Sequence, residues 1–562
     1  MSARANRFIN NPIFLFAIFI LIFLFYILNI NCDPSFIRTV RDFGDEGYWV
    51  HNARNAVVFG HARLDDFNQS LLFSPLYYLA VKSVFSFFGV GFTQARIVSV
   101  IPAFFTALLI FMIIKHITNT KMALLAAIIF VFIHENYMYV KWASPIQLEY
   151  MFITGSLYLW LIKKKSIANV ALSGLCIFLA ILSKNTALFL LPCLAVFVFL
   201  EGRYKRVTKG EALIYVFSIV LPIILFVLFF ILPNLYSYKL LAVSFPHSYR
   251  WLISPLGWLR RAYNVLMNKY FALPGIFLLI FSIVNYYIAR IFAVVNVKKW
   301  EPDTIETFCF SWLFGYLFFL GLIGDYGDRR LVQFVVPFTL LFVHSLSSKG
   351  MRLNHQILPR LLFLLNIAWI MFMFRTYKTF IFHLGNIGCN IYCSLVILAM
   401  FSVSTFVLEG LFFKQKYKLF YISTIAIMFI ISFIMNVNWL IKPSYTIYNA
   451  SLALKERASY GAVVLGECGH ILSIENKMLP ILWVPHTPSF NRMNQNIWEY
   501  KPQYYVQEII MDSRPLVKGE GWGWPEIKDF KNKNLSYLNT INLYPYPMTD
   551  KFRIKLVMYK VL

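Results

Sequence analysis

This chain is poor in carboxylates. Its 562 residues hold 26 Asp and Glu against 52 Lys and Arg, and 14% of positions are charged. That scarcity excludes an ordinary soluble surface for a chain of this size. Cysteine is also scarce. The seven, at 32, 176, 193, 309, 389, 393 and 468, lie mostly inside apolar runs with no regular spacing, which argues against a disulfide framework or a zinc site. No Walker loop, HExxH, CxxC, GxSxG or dinucleotide fingerprint occurs. The Cys468 and His470 of ECGH offer two potential metal ligands, too few for a site. The basic residues scatter among helix ends and form no stripe, so nucleic acid is not expected as a partner.

What the chain has is hydrophobic runs. Apolar residues make up 59% and aromatics 18%. The runs repeatedly reach the ~20 residues that a spanning helix needs, and the alternating ~10-residue segments of a transmembrane barrel are missing. The runs predict an α-helical polytopic membrane protein of about thirteen spans, near 11–31, 95–116, 122–140, 146–162, 167–183, 186–200, 211–233, 271–291, 304–323, 331–347, 357–374, 387–409 and 419–441. The first run is too long for a signal peptide and no small-residue cleavage site follows it, so it reads as a retained span. With the N-terminus inside, the loops Lys115–Lys121, Lys163–Lys165, Arg203–Lys209, Lys298–Lys299, Lys349–Arg360 and Lys414–Lys418 all face the cytoplasm. Each is basic, as positive-inside bias requires. The outer loops hold nearly as many Lys and Arg, and that surplus points to an anionic ligand.

Two regions follow from this pattern: a transmembrane domain over 1–441 and a polar region over 442–562. The second is expected to form a small α/β domain on the outer face, with a helix at 446–458 and strands at 461–467, 480–484, 501–510 and 552–562. The outer segment 32–94 is expected to carry juxtamembrane helices, and residues 234–270 an interfacial one.

Six of the sixteen acids in the first 442 positions fall between 33 and 66, with Asp45-Glu46 at their centre. A carboxylate beside lipid is costly unless it faces water or a partner, which makes this pair the first candidate site. Its bland reading is helix capping or a salt bridge to Arg41 or Arg54. Glu149, near the outer end of the fourth span, is the second candidate; alone it reads as a paired acid, as does the His134-Glu135 pair. Lys184, Arg329-Arg330 beside Tyr326, Arg260-Arg261 and Lys269 would each pass for interfacial anchors. Together they place cations on the side of the carboxylates. One carboxylate near several cations suits transfer of a sugar from a lipid phosphate: the base deprotonates the acceptor hydroxyl and the cations stabilise the departing phosphate.

These residues occur in an order that resembles the GT-C class of polyprenyl-phosphate-sugar-dependent glycosyltransferases, in the branch of protein O-mannosyltransferases and lipid A aminoarabinose transferases. Asp45, Glu46, Tyr48, Ala53 and Gly60 follow the first span, SPLYYL precedes the second, Glu149 starts the fourth, and a segment from Tyr326 to Pro337 leads into a late span. The resemblance covers about 1–441. It implies an inverting transferase at the extracytoplasmic face of a bacterial inner membrane, taking sugar from undecaprenyl or dolichyl phosphate to a hydroxyl on a glycolipid, glycan or protein. Asp45 is then the base, Lys184 and Arg329 or Arg330 hold the phosphate, and Tyr48, Lys82 and Tyr326 line the substrate. No cofactor is required; a divalent cation on Asp45 and Glu149 is left open. The chain departs from the aminoarabinose enzymes where they place a Glu-Lys pair before the juxtamembrane Pro, because Phe73 and Ser74 stand there, with Lys82 as a substitute. It departs again at Tyr48, where they have Arg. The rival readings are a transporter of lipid-linked sugars and a non-catalytic lipid-binding or assembly subunit. The first should show polar, broken helices at midplane and a repeat, and neither is visible.

Overall fold

The computed structural model describes residues 10–33, 40–64, 69–162, 166–243, 302–323, 332–347, most of 433–481, and 501, 503–512, 535–543 and 552–561. The expected spans at 271–291, 357–374 and 387–409 lie outside the described residues, as does most of 419–441.

The first run forms α1 (Pro12–Ile27), opened by Asn11, whose side chain accepts from the Ile13 amide. Three helices follow: α2 (Val40–Val58), α3 (Gln69–Phe73) and α4 (Pro75–Phe88). The chain continues with α5 (Phe92–Ile117), α6 (Thr120–Phe132), α7 (His134–Val140), α8 (Ile146–Leu161), α9 (Ile167–Ser183), α10 (Leu191–Arg203), α11 (Lys209–Phe226) and α12 (Leu235–Val243). After the segment outside the described residues come α13 (Thr304–Ile323) and α14 (Val335–Ser347). Phe92–Ile117, Asn185–Arg203 and Lys209–Lys239 are long and apolar enough to cross a membrane, and Pro12–Ile27, Ile167–Ser183, Thr304–Phe319 and Val332–His344 are shorter apolar helices. The chain is a multi-pass membrane protein, in which helices satisfy the backbone within lipid.

The expected span 122–140 is bent by 67° between α6 and α7. No proline causes the break. Ile133 is extended (φ −58°, ψ 117°), which leaves carbonyls of the preceding turn without their helical donors. Two asparagines supply donors instead: Asn136 Nδ2 to the Phe130 carbonyl (2.8 Å) and Asn436 Nδ2 to that of Phe132 (3.0 Å). Asn436 Oδ1 also meets His134 Nδ1 at 2.7 Å.

α5 is the hub, packing on α1, α4, α6 and α8. α8 packs on α9, α9 on α11, and α10 on α13. α13 and α14 run antiparallel, with Tyr316 against Phe334 (6.5 Å between rings) at one end and Glu306 near His344 at the other.

The C-terminal residues form α15 (Thr446–Arg457), β1 (Val463–Leu465), the short α16 (Gly469–Leu472), β2 (Leu479–Ile481), β3 (Tyr504–Asp512), β4 (Leu535–Leu543) and β5 (Phe552–Val561). The strands make one mixed sheet in the order β2-β1-β3-β5-β4. β1 is parallel to β2 and β3, and β5 is antiparallel to β3 and β4. β4, which bulges between Tyr537 and Asn539, has no counterpart in the sequence reading. A second apolar core joins this region to α2 and α4, with Val50, Ala53, Tyr77, Phe85, Val464, Ile471 and Leu472 all buried.

Candidate functional site

The acidic pair lies on a helix, α2, not on a loop, and its two members differ. Glu46 is fully buried. Arg96 of α5 grips it through both oxygens: Nε to Oε1 at 2.6 Å and Nη2 to Oε2 at 2.7 Å. The Ala143 amide donates to the same Oε1 (3.0 Å), and Arg96 Nη1 donates to the Ile30 and Cys32 carbonyls (2.7 Å each). One ion pair thus ties together the exit of α1, the helix α2, the start of α5 and the connection before α8. Arg54, one of the two arginines near in sequence, is not the partner of Glu46. Three donors, two from Arg96 and the Ala143 amide, thus occupy the Glu46 carboxylate. Asp45, one residue earlier and about 100° around the helix, is half-buried.

Arg54, further along α2, is fully buried and has no carboxylate among its hydrogen-bond acceptors. Nε donates to the Ser473 carbonyl and Nη2 to those of Asn476 and Met478, all at 2.8 Å. Burial opposes its charge, and the three carbonyl oxygens answer that cost. Tyr48, expected to line the substrate, stacks on His470 with ring centroids 4.0 Å apart.

Glu149 lies in the first turn of α8 and is fully buried. Thr186 Oγ1 donates to its Oε1 at 2.7 Å and the Tyr316 hydroxyl to the same oxygen at 2.5 Å. Gln333 Nε2 approaches Thr186 Oγ1 at 3.5 Å. Side chains from α8, α13, the 3-10 turn Asn185–Leu190 and the 3-10 turn Val332–Phe334 therefore converge on one carboxylate. Beside it, Gln333 Oε1 and the Tyr150 hydroxyl, and at the start of α8 Gln147 Oε1, are buried without a hydrogen-bond partner among the described residues. Buried polar groups of this kind are few in native proteins and mark places where a polar ligand or water belongs.

Lys184 is buried where α9 hands over to the 185–190 turn, two residues before Thr186. It thus adjoins, along the chain, the threonine that donates to Glu149. Lys82 is exposed on α4. Arg260, Arg261, Lys269, Tyr326, Arg329 and Arg330 lie outside the described residues. Lys141, between α7 and α8, donates to the Leu28 carbonyl and lies over the rings of Tyr137 (4.6 Å) and Trp439 (4.9 Å). Burial pushes its ammonium down to about 8.

Thr186, Tyr316, Gln333 and Arg96 escape the sequence reading. Each sits in or beside an apolar run, and only their convergence in space marks them. Among the described residues, one set of three metal-type side chains comes together: Asp303, Glu306 and His344. His344 Nε2 is 2.5 Å from Asp303 Oδ2 and 4.0 Å from Glu306 Oε1. Asp303 and Glu306 also cap the start of α13 reciprocally, Glu306 N to Asp303 Oδ1 at 2.8 Å and Asp303 N to Glu306 Oε2 at 3.2 Å. This set lies ten residues from Tyr316 along α13, about 15 Å at the usual rise, and includes neither Asp45 nor Glu149.

Known proteins bear on this arrangement. Residues 73–236 match the sequence model of the dolichyl-phosphate-mannose-protein mannosyltransferase family. No curated protein matches the chain by sequence. Among solved structures, ArnT from Cupriavidus metallidurans in the apo state is similar over 97% of this chain and 97% of its own, with a TM-score of 0.56 at 11% identity. The same protein bound to undecaprenyl phosphate is similar over 97% and 98%, with a TM-score of 0.53 at 10% identity. The resemblance noted in the sequence thus holds for the fold of nearly the whole chain: it is the helical membrane fold of the GT-C class.

Proposed function

We propose that this chain is a membrane glycosyltransferase that moves a sugar from a polyprenyl phosphate to a hydroxyl acceptor on the extracytoplasmic face of a bacterial inner membrane. The observation that carries this reading is the division of labour within the acidic pair. Glu46 is locked by Arg96 and holds α2 on α5, so the helix presents half-buried Asp45 from a fixed frame. A general base needs that combination of fixed position and access. The shared fold with ArnT, a protein solved with undecaprenyl phosphate bound, supports the lipid class. The match of 73–236 to the mannosyltransferase family supports the reaction class.

In this reading the Asp45 carboxylate takes the proton of the acceptor hydroxyl as its oxygen bonds to the anomeric carbon. The bond from that carbon to the phosphate oxygen breaks, and its electron pair leaves with the phosphate. Lys184 and the Arg329-Arg330 pair receive that charge, with Arg260, Arg261 and Lys269 as the further outer cations. Phosphate departs without a second carboxylic acid to protonate it, and attack opposite to it inverts the anomeric centre. Glu149, held by Thr186 and Tyr316, orients hydroxyls of donor or acceptor together with Gln147, Gln333 and Tyr150. Residues 442–562 form the outer domain.

Mass spectrometry of membrane glycolipids and glycoproteins from cells carrying the wild-type chain or Asp45→Asn tests the proposal. A glycan present with the first and absent with the second is expected. Identical profiles overturn a transferase role with this base and favour a lipid-binding subunit.

A further inference from the structure

The C-terminal region meets α2 at a close contact, and three features of that contact point one way. The first is Gly47, two residues after Asp45. A Cβ built there would lie 2.3 Å from His470 Cδ2 and 2.6 Å from the Ile471 amide nitrogen, so glycine alone lets the segment come this near. The second is the stack of His470 on Tyr48, with rings 18° from parallel. The third is Arg54, whose guanidinium draws in the carbonyls of Ser473, Asn476 and Met478. Arg54 is itself held by Asn55 Oδ1 at 3.1 Å.

The segment that makes these contacts is itself tied to α15 by hydrogen bonds. Ser451 Oγ donates to the Leu472 carbonyl (2.7 Å), and Asn476 Nδ2 donates to the carbonyls of Leu472 (2.7 Å) and Ser451 (3.1 Å). It also reaches α5, the helix that bears Arg96. The Glu475 carboxylate accepts from the Phe92 amide at 2.7 Å, at the helix N-terminus where a negative charge is favoured. Residues 468–478 therefore span the same two helices that Glu46 and Arg96 join. α2 is gripped by the ion pair at Glu46 and by this segment at Gly47, Tyr48 and Arg54.

We infer that His470 and Arg54 are positioning residues for Asp45, and that the C-terminal region is part of the catalytic framework. The inference rests on the reading of Asp45 as the base. A helix held at several points along its length can neither slide nor rotate, and a misplacement of about 1 Å can cost about 10²-fold in rate.

The test uses the full-length chain purified and reconstituted with a detergent extract of its source membranes, lipids and proteins together, which supplies donor and acceptor. Product formation is followed by mass spectrometry against the amount of extract, and undecaprenyl phosphate binding is measured separately. His470→Ala is expected to lower the saturating rate about 10-fold or more, on the scale set by such misplacements. The half-saturating amount of extract and the undecaprenyl phosphate affinity should stay within about twofold of wild type, since the base's placement bears on the transition state and not on binding. His470→Phe, which keeps a ring on Tyr48, is expected to restore most of the rate. In an Asp45→Asn background, His470→Ala should cost nothing further. Arg54→Lys, which keeps one donor of the fork, gives the second measurement if His470→Ala lowers the melting temperature, and should show the same pattern more weakly. An equal loss from His470→Ala with and without Asp45 overturns the inference, and so does a wild-type rate in His470→Ala beside a lost rate in Asp45→Asn. A wild-type rate in Asp45→Asn overturns the base assignment, and the positioning of that base with it.

Discussion

Arg96 holds Glu46 through both carboxylate oxygens in a site that solvent does not reach. Removing one partner of such a pair leaves a buried charge alone and costs about 3–5 kcal/mol, whereas replacing both with apolar groups of similar volume is often near neutral. Arg96→Met and Glu46→Leu should each lower the melting temperature sharply in detergent, and the double variant should recover much of the loss. Scanning fluorimetry of the four chains checks this; additive losses in the double variant would show that the pair is not the joint described here.

Asp45→Asn should reduce transfer by about 10²–10⁴-fold, the usual contribution of a general base, and leave undecaprenyl phosphate binding intact. A residual rate above about a tenth of wild type would contradict that scale and move the base elsewhere.

Tyr316→Phe removes a donor from buried Glu149. A buried side-chain hydrogen bond contributes about 0.5–3 kcal/mol, so the loss should appear as a drop in either stability or transfer. In a double-mutant cycle with Glu149→Gln the two should be strongly non-additive, because each reports on the same bond. Additive effects would separate the two residues.

Lys184→Ala, Arg329→Ala and Arg330→Ala should each weaken binding of bare undecaprenyl phosphate by about 1.5–3 kcal/mol. The sugar-loaded donor should suffer equally, since the contact is to phosphate. Unchanged affinity in all three would leave Arg260, Arg261 and Lys269 as the phosphate site.

Lys141 gives a pH signature. Its folded-state value lies near 8 against 10.5 in the unfolded chain. Below about 8 both states are protonated and the folded protein carries the full cost of burying the charge. Between about 8 and 10.5 the folded chain sheds the proton and the unfolded chain keeps it, so stability climbs with pH across that window. Lys141→Met should flatten that climb in melting curves taken from pH 7.5 to 10; a parallel curve would show that another group titrates.

The legible parts of the molecule are those written as contrast. The apolar runs declare the spans, and a carboxylate pair in an acid-poor chain stands out wherever it lies. β3 and β5 are legible from apolar runs between turn signals, but β4 is hidden by Ser536, Asn539, Thr540 and Asn542. The partner of Glu46 is illegible because Arg96 is fifty positions away and reads as one more interfacial cation. Tyr316 and Gln333 are camouflaged by their apolar neighbours, since hydropathy averages over a window and a site depends on single atoms. His470 looks like half a metal motif in sequence; in space it is an aromatic face laid on Tyr48.

The bend at Ile133 bears on how the chain is made. One of the carbonyls it exposes, that of Phe132, is satisfied by Asn436, which lies 304 positions further along the chain. A ribosome delivers the bent run long before it delivers that asparagine. In the interval the run has no donor for the exposed group, and a straight helix, which satisfies its carbonyls from within, is the cheaper arrangement in lipid. The third apolar run is therefore expected to enter the bilayer unbent and to acquire its angle as a late step of maturation. A chain truncated before residue 436 would keep the run in its juvenile, straight form.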